Sequence, residues 1–139
     1  MMRFFNFLKK RRKKVEISKM SIENLKWNKM WDLWVNGDIE TPYIELMEYL
    51  NGVNNGGHHC HLDNINENSD LKEYVKALTE ILPEPLKSNI SLAYNTYIKN
   101  PDDLSDEDIE ILDNCDSVYY ANEELINDIL KERASRIDL

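Results

Sequence analysis

The chain has 139 residues, of which 42% are hydrophobic, and it carries 17 Lys and Arg against 26 Asp and Glu, for a net charge of −9. This length predicts one domain with a hydrophobic core of its own and no need for disulfide or metal cross-links. Gly and Pro number only four each, which excludes collagen-like chains, low-complexity linkers and turn-rich all-β folds.

The N-terminal segment differs in charge from the rest of the chain. Residues 1–19 contain eight basic side chains and one acid, whereas residues 20–139 contain nine basic and 25 acidic side chains. We therefore predict a flexible, basic, aromatic-containing tail over residues 1–20, followed by an acidic helical domain over residues 21–139. The charge of this domain is expected to repel nucleic acid and to attract basic proteins.

The tail is not a secretory signal, because its apolar residues 4–8 precede its basic residues 9–14, the reverse of the order that such signals have. No stretch approaches the roughly 18 consecutive apolar residues of a membrane-spanning helix. The two cysteines, Cys60 and Cys115, lie far apart in sequence and are expected to be reduced thiols. These features predict a cytoplasmic protein.

From Ser21 onward the hydrophobic residues have helical spacing. Ser21 is predicted to cap a first helix that ends before Gly37, where a left-handed residue is commonly needed. The core-facing stripe of this helix is predicted to consist of Trp27, Met30, Trp31 and Trp34. Thr41 and Pro42 are predicted to open a second helix that ends at residue 52 or 53.

The segment Asn54-Asn55-Gly56-Gly57 is predicted to be a turn, because its residues tolerate positive φ. A helical turn is predicted over residues 58–64, and longer helices are predicted over residues 71–82 and 86–97 and from a cap at Ser105 to the C-terminus. No alternating strand pattern occurs. The predicted fold is all-α, a single compact domain of about five to seven helices with a basic N-terminal tail.

The run of His58, His59, Cys60 and His61 offers donor types that bind zinc. Structural zinc sites usually take their ligands from two separated pairs, and these three histidines are all that the chain has. The four residues are therefore predicted to be turn and core residues, with no metal and no cofactor. The sequence also lacks a P-loop, a dinucleotide fingerprint and a nucleophile elbow, so the chain is not predicted to be an enzyme.

Residues 100–130 contain eleven acids and no Lys or Arg. On a helix this is one negative charge for about every 4 Å of axis, which is comparable with one phosphate for about every 3.4 Å of a DNA strand. A solvated acidic surface and a partner-binding surface both remain open as interpretations. The candidate partner-binding residues are Asp102, Asp103, Asp106, Glu107, Asp108, Glu110, Asp113, Asp116, Glu123 and Glu124.

One segment resembles the signature of a bacterial domain-of-unknown-function family that includes an acidic DNA mimic. The family turn motif corresponds here to Asn54, Asn55, Gly56, Gly57, His58 and Asn64. Cys60 and His61-Leu62 depart from the Gln and the two aromatic residues that are usual in the family. The C-terminal part is also similar, with an acidic stretch, the segment Asp116-Ser117-Val118-Tyr119-Tyr120 and a Glu-rich last helix, so the resemblance covers residues 27–134.

This resemblance implies an all-helical, acidic protein that forms a dimer and presents carboxylates in place of DNA phosphates to a transcription factor. We therefore predict an acidic protein-binding domain that acts as a DNA mimic toward a basic DNA-binding protein. Its acidic body is not expected to bind nucleic acid directly. Two alternatives stay open: an immunity protein that neutralises a toxin, and an adaptor held weakly at a membrane surface through residues 1–14.

Overall fold

A computed structural model describes the backbone of residues 7–139 and the side chains of residues 21–139. This part of the chain forms five α-helices and no β-strand: α1 Phe7–Val35, α2 Tyr43–Asn68, α3 Leu71–Ile81, α4 Leu86–Tyr97 and α5 Asp106–Ser135. The prediction of an all-α fold with five to seven helices is confirmed. The predicted flexible tail, residues 1–20, falls outside the residues described with side chains, and its flexibility stays a prediction.

The helices belong to two compact units. Among the residues that the structure describes, the first unit comprises residues 7–38 together with Lys131–Leu139, and the second comprises Ile39–Leu130. The second unit contains α2, α3, α4 and most of α5, and it holds every residue of the predicted turn motif and acidic surface.

In the first unit, the predicted start of α1 is wrong, because the helix begins at Phe7 and Ser21 lies inside it. Seven of residues 8–20 are Lys or Arg and none is Gly or Pro, so the stretch contains no residue that breaks a helix. The predicted end is confirmed. Gly37 has a φ of +77°, and its amide donates to the carbonyl of Trp34 at 3.0 Å.

The predicted apolar stripe of α1 is buried to different degrees along its length. Met30 is completely buried, whereas Trp27, Trp31 and Trp34 are half-buried. The ring of Trp31 makes edge-to-face contacts with Trp27 and Trp34, at centroid distances of 6.0 and 5.3 Å. These rings therefore contact one another along the helix.

Short polar side chains begin two helices of the second unit. Asp70 accepts a hydrogen bond from the amide of Glu73 at the start of α3. Ser105 accepts one from the amide of Asp108 at 3.0 Å, which confirms Ser105 as the cap of α5. Thr41 is not the cap of α2, because its hydroxyl donates to the carboxylate of Glu45 and Pro42 takes the cap position.

The core of the second unit consists of large side chains from all four of its helices. Fully buried aliphatic residues include Leu46, Met47, Leu62, Leu78, Leu86, Ile90, Leu112 and Ile126. Tyr49, Tyr97 and Tyr119 are also buried. Because a buried hydroxyl needs a hydrogen-bond partner, these tyrosines require polar groups inside the core. His58 supplies one for Tyr49, and Asp63 supplies one for Tyr97.

Candidate functional site

The predicted turn motif marks a sharp break inside α2. The helix continues through Asn54, Asn55 and Gly56, so the turn predicted over these residues is wrong in its extent. Only Gly57 leaves the helical region, with φ +77° and ψ 178°, and residues 58–68 are helical again. One glycine is enough for the break, because glycine adopts positive φ without strain. The other three residues of the segment are compatible with a helix.

Asp116 of α5 fills the space beside this break. A Cβ atom on Gly57 would lie 2.6 Å from Oδ2 of Asp116, so the carboxylate would have to shift to admit a side chain there. Oδ1 of Asp116 accepts two hydrogen bonds from His58, one from the backbone amide at 2.8 Å and one from Nδ1 at 2.6 Å. Gly57 is therefore required both by its conformation and by the approach of Asp116.

His58 continues the hydrogen bonds into the core. A carboxylate can only accept, so Nδ1 carries the proton, and in the neutral ring Nε2 accepts from the hydroxyl of Tyr49 at 2.6 Å. Burial, followed by the nearby Tyr119, raises the pKa of Tyr49 well above its usual value. The order Asp116, His58, Tyr49 is that of a carboxylate–imidazole–hydroxyl relay, but His58 and Tyr49 are both completely buried.

A second buried histidine lies one turn farther along α2. Nε2 of His61 is 2.6 Å from the hydroxyl of Tyr74 on α3. Burial, with a smaller contribution from His58, lowers the pKa of His61 to about 4. A Cβ atom on Gly52 would lie 1.9 Å from Nδ1 of His61, so Gly52 leaves the space that the imidazole occupies.

Three further hydrogen bonds join α5 to the first part of α2. Nδ2 of Asn54 donates to Glu123 at 2.7 Å. The hydroxyls of Tyr119 and Tyr120 donate to the carbonyls of Leu50 and Val53, at 3.4 and 3.2 Å. Together with the pair of Asp116 and His58, these bonds fix α5 to both sides of the helix break.

The structure thus brings together only part of the predicted turn motif. Asn54, Gly57 and His58 meet α5, whereas Asn55, Gly56 and Asn64 are exposed. Asp116 and Glu123, which accept hydrogen bonds from His58 and Asn54, were instead predicted to bind another protein. Sequence reasoning could not assign them this role, because the two segments are 58 residues apart along the chain.

The four residues of the His58–His61 run point in different directions. His58 and His61 are buried, Cys60 is exposed, and the half-exposed His59 lies 3.6 Å from the carboxylate of Asp63. Within residues 21–139, no group of three or more His, Cys, Asp and Glu side chains is arranged to hold a metal ion.

The predicted acidic residues divide into two groups. Asp108, Asp116 and Glu123 are half-buried and make hydrogen bonds within the protein. The hydrogen bonds of Asp108, first to Ser105 and then to Lys99, lower its pKa. The remaining predicted acids are exposed: Asp102, Asp103, Asp106, Glu107, Glu110, Asp113 and Glu124.

Five exposed acids lie on one side of α5, within an arc of about 60°. We call them the acidic face: Asp106, Glu110, Asp113, Glu124 and Asp128. The first three are separated along the axis by about 6 and 4.5 Å, and the last two by about 6 Å. A gap of about 16 Å separates the two groups.

An acidic groove between α2 and α3 was not predicted. It has a volume of about 450 Å³, and its acidic lining residues are Glu45, Glu48, Asp70, Glu73 and Glu80. Partial burial, followed by the charge of Glu45, raises the pKa of Glu48. No local sequence signal could have identified this groove, because its acids come from separate helices.

Comparison of the chain with protein-family models, with curated proteins and with solved structures finds no match. The resemblance to the family of the DNA mimic therefore stays a prediction that rests on the turn motif and the acidic stretch. Among the residues that the structure describes, no helix combines the length and the apolar character that crossing a membrane requires.

Proposed function

We propose that this chain is a non-enzymatic, acidic protein-binding domain that acts as a DNA mimic in the cytoplasm. Its acidic face would occupy the DNA-binding surface of a basic protein, with Asp102, Asp103 and Glu107 at the margin. Formation of a homodimer, as in the family that the sequence resembles, belongs to the same proposal.

The spacing of the exposed acids on α5 carries the proposal. Asp106, Glu110 and Asp113 follow one another at about 6 and 4.5 Å along the axis of a rigid helix, which is of the same order as the rise of about 3.4 Å along the duplex axis for each phosphate of one DNA strand. No Lys or Arg occurs within residues 100–130 to neutralise them. A surface that binds DNA phosphates would therefore find three carboxylates in a row on α5, at a linear density comparable with that of the phosphates.

The assignment as a non-enzymatic protein is supported by the burial of the one relay of acid–base groups described above. His58 and Tyr49 have no exposed surface, and both nitrogens of His58 are occupied by Asp116 and Tyr49. A substrate would have to displace core packing to reach either group.

Charge reversal tests the proposal. The full chain carrying Asp106→Lys, Glu110→Lys and Asp113→Lys is immobilised and compared with the unaltered chain as bait for proteins from a cell extract. The captured protein is identified by mass spectrometry, and its affinity is then measured at two salt concentrations. We expect a basic DNA-binding protein that duplex DNA displaces, and at least about a tenfold loss of affinity in the triple variant.

A matched triple variant provides the control. Glu67→Lys, Glu73→Lys and Glu80→Lys change the net charge by the same amount at exposed positions outside α5, and they should retain most of the affinity. Equal losses in both triple variants would contradict a role for the acidic face. Capture of a basic toxin in place of a DNA-binding protein would identify the chain as an immunity protein.

A further inference from the structure

Three of the four glycines directly follow an asparagine, and the pairs are Asn36-Gly37, Asn51-Gly52 and Asn55-Gly56. In such a pair the backbone nitrogen of the glycine can attack the carboxamide of the asparagine, because glycine has no side chain to hinder the approach. The reaction needs no enzyme and turns a neutral amide into a carboxylate. Since the three pairs share the same local chemistry, the fold decides which of them reacts.

The reaction has two steps, and water is its only co-reactant. First, the nitrogen of the glycine forms a bond with Cγ of the asparagine, the bond from Cγ to the side-chain nitrogen breaks, and ammonia leaves with the proton of the backbone amide. Water then opens the cyclic imide, which gives aspartate when it attacks the side-chain carbonyl and isoaspartate when it attacks the backbone carbonyl. The first step requires that the N–H of the glycine leave its hydrogen bond and that the backbone rotate locally.

The first pair lies at the exposed end of α1. The helix ends at Val35, and Asn36 and Gly37, which follow it, are both exposed. The amide of Gly37 donates to the carbonyl of Trp34 at 3.0 Å, and nothing lies within 4 Å of a Cβ atom built on Gly37. Hydrogen bonds in the terminal turn of a helix open at a small cost in free energy. The nitrogen of Gly37 is therefore freed by fraying of a single exposed turn.

The second pair lies within a packed part of α2. There each backbone amide donates to the carbonyl four residues earlier, so that one bond opens only when its neighbours open as well. A Cβ atom on Gly52 would lie 1.9 Å from Nδ1 of the buried His61, which shows how closely the imidazole approaches this backbone. Asn51 is exposed, but the nitrogen that it needs belongs to a helix backbone in contact with the core.

The third pair directly precedes the break in α2, and α5 holds the chain on both sides of it. On one side, Nδ2 of Asn54 donates to Glu123 at 2.7 Å. On the other side, the amide and Nδ1 of His58 donate to Asp116. The backbone between these two anchors is helical up to Gly56. Freeing the nitrogen of Gly56 therefore strains or breaks bonds to α5.

We propose that Asn36 is a site of spontaneous deamidation and that the fold protects Asn51 and Asn55. The product adds a negative charge at the C-terminal end of α1, where carbonyls without an intrahelical partner already carry partial negative charge. In isoaspartate the main chain is also one carbon atom longer, so that the amide of Gly37 leaves the register that it has with the carbonyl of Trp34. The modification therefore weakens the end of α1. The inference does not depend on the proposed function.

Incubation of the full chain at neutral pH and physiological temperature tests the proposal. Samples taken over time are digested at mildly acidic pH and analysed by tandem mass spectrometry, which reports each asparagine separately through the mass gained when –OH replaces –NH₂. We expect Asn36 to convert at least about tenfold faster than Asn51 or Asn55. The ammonia released should match the total conversion.

Two controls assign the difference to the fold. Asn36→Gln keeps a carboxamide but lengthens the side chain, which slows ring closure, so this variant should lose the fast conversion and retain the rates at Asn51 and Asn55. In urea at a concentration that unfolds the chain, the three asparagines should convert at comparable rates. Conversion of Asn51 or Asn55 as fast as Asn36 in the folded chain overturns the proposal. It is also overturned if folding slows the conversion of Asn36 as strongly as that of the other two.

Discussion

The two sides of α5 carry the same acidic residue types and use them differently. On the side toward α2, Asp116 accepts two hydrogen bonds from His58, and Glu123 accepts one from Asn54. On the solvent side, the residues of the acidic face are exposed. The number of acids in a segment is therefore larger than the number of carboxylates that the segment can offer to a partner.

Acids on the side toward α2 are used inside the protein because a polar group of the core that lacks a hydrogen bond costs free energy. The break at Gly57 exposes the amide and the imidazole of His58 to the interior, and a carboxylate from α5 satisfies both. That carboxylate is then committed to the fold. One side of α5 is therefore expected to act on stability and the other on binding.

The largest effect on stability is expected at the helix break. Gly57→Ala would place a side chain at φ +77° and a Cβ atom 2.6 Å from Oδ2 of Asp116. We expect the free energy of unfolding to fall by about 3 kcal/mol, measured by urea denaturation followed by circular dichroism.

Gly37→Ala is the matched control for this substitution. Gly37 has the same φ of +77°, but nothing lies within 4 Å of its added Cβ, so that only the conformational strain remains, of about 1 kcal/mol. Equal losses in the two variants would show that the packing of Asp116 against Gly57 contributes nothing.

Removing the carboxylate itself should have the next largest effect. Asp116→Ala leaves the buried imidazole N–H of His58 without an acceptor, and the free energy of unfolding should fall by about 2 kcal/mol. Asp113→Ala, one turn earlier on the solvent side, should change it by no more than about 0.5 kcal/mol. The two sides of α5 would not differ in the proposed way if both variants gave the same free energy of unfolding.

The smallest effect is expected from acidification. Because the pKa of His61 is about 4 in the folded chain and about 6.5 in an unfolded one, the unfolded chain binds more protons between these values. Stability should therefore decrease as pH falls from 6.5, by about 1 to 2 kcal/mol at pH 5. Urea denaturation at several pH values measures this slope.

His61→Gln tests the assignment of this slope to one residue. The amide can still form a hydrogen bond with Tyr74 but does not titrate, so the variant should lose most of the dependence on pH between 6.5 and 5 even if its stability is lower throughout. A slope equal to that of the unaltered chain would assign the effect to other groups.

Local chemistry explains which elements could be predicted from the sequence. Ser105 caps α5 and Gly37 ends α1 as predicted, because capping involves residues within one turn of the helix end. The start of α1 was placed too late at Ser21, since a capping residue type also occurs inside helices. The break in α2 was predicted too wide, because Asn54, Asn55 and Gly56 are permitted in turns but do not require them.

The candidate site likewise has a part that local sequence predicted and a part that depends on long-range packing. The composition of residues 100–130 and the helical period predicted an acidic helix, and both are properties of a local segment. The separation into structural and exposed acids depends on which side of α5 contacts α2. That contact joins Asp116 to His58 across 58 residues, and no local pattern encodes it.

Local sequence was sufficient to predict the all-α fold, the positions of most helix ends, a break near residues 54–57 and the acidic character of the last helix, because helical period, capping and charge act over a few residues. The contact between α5 and α2 places Asp116 and Glu123 on the core side of α5 and leaves Tyr120 exposed among the remaining acids. These assignments depend on the rotation of α5 about its axis, which packing against distant helices sets.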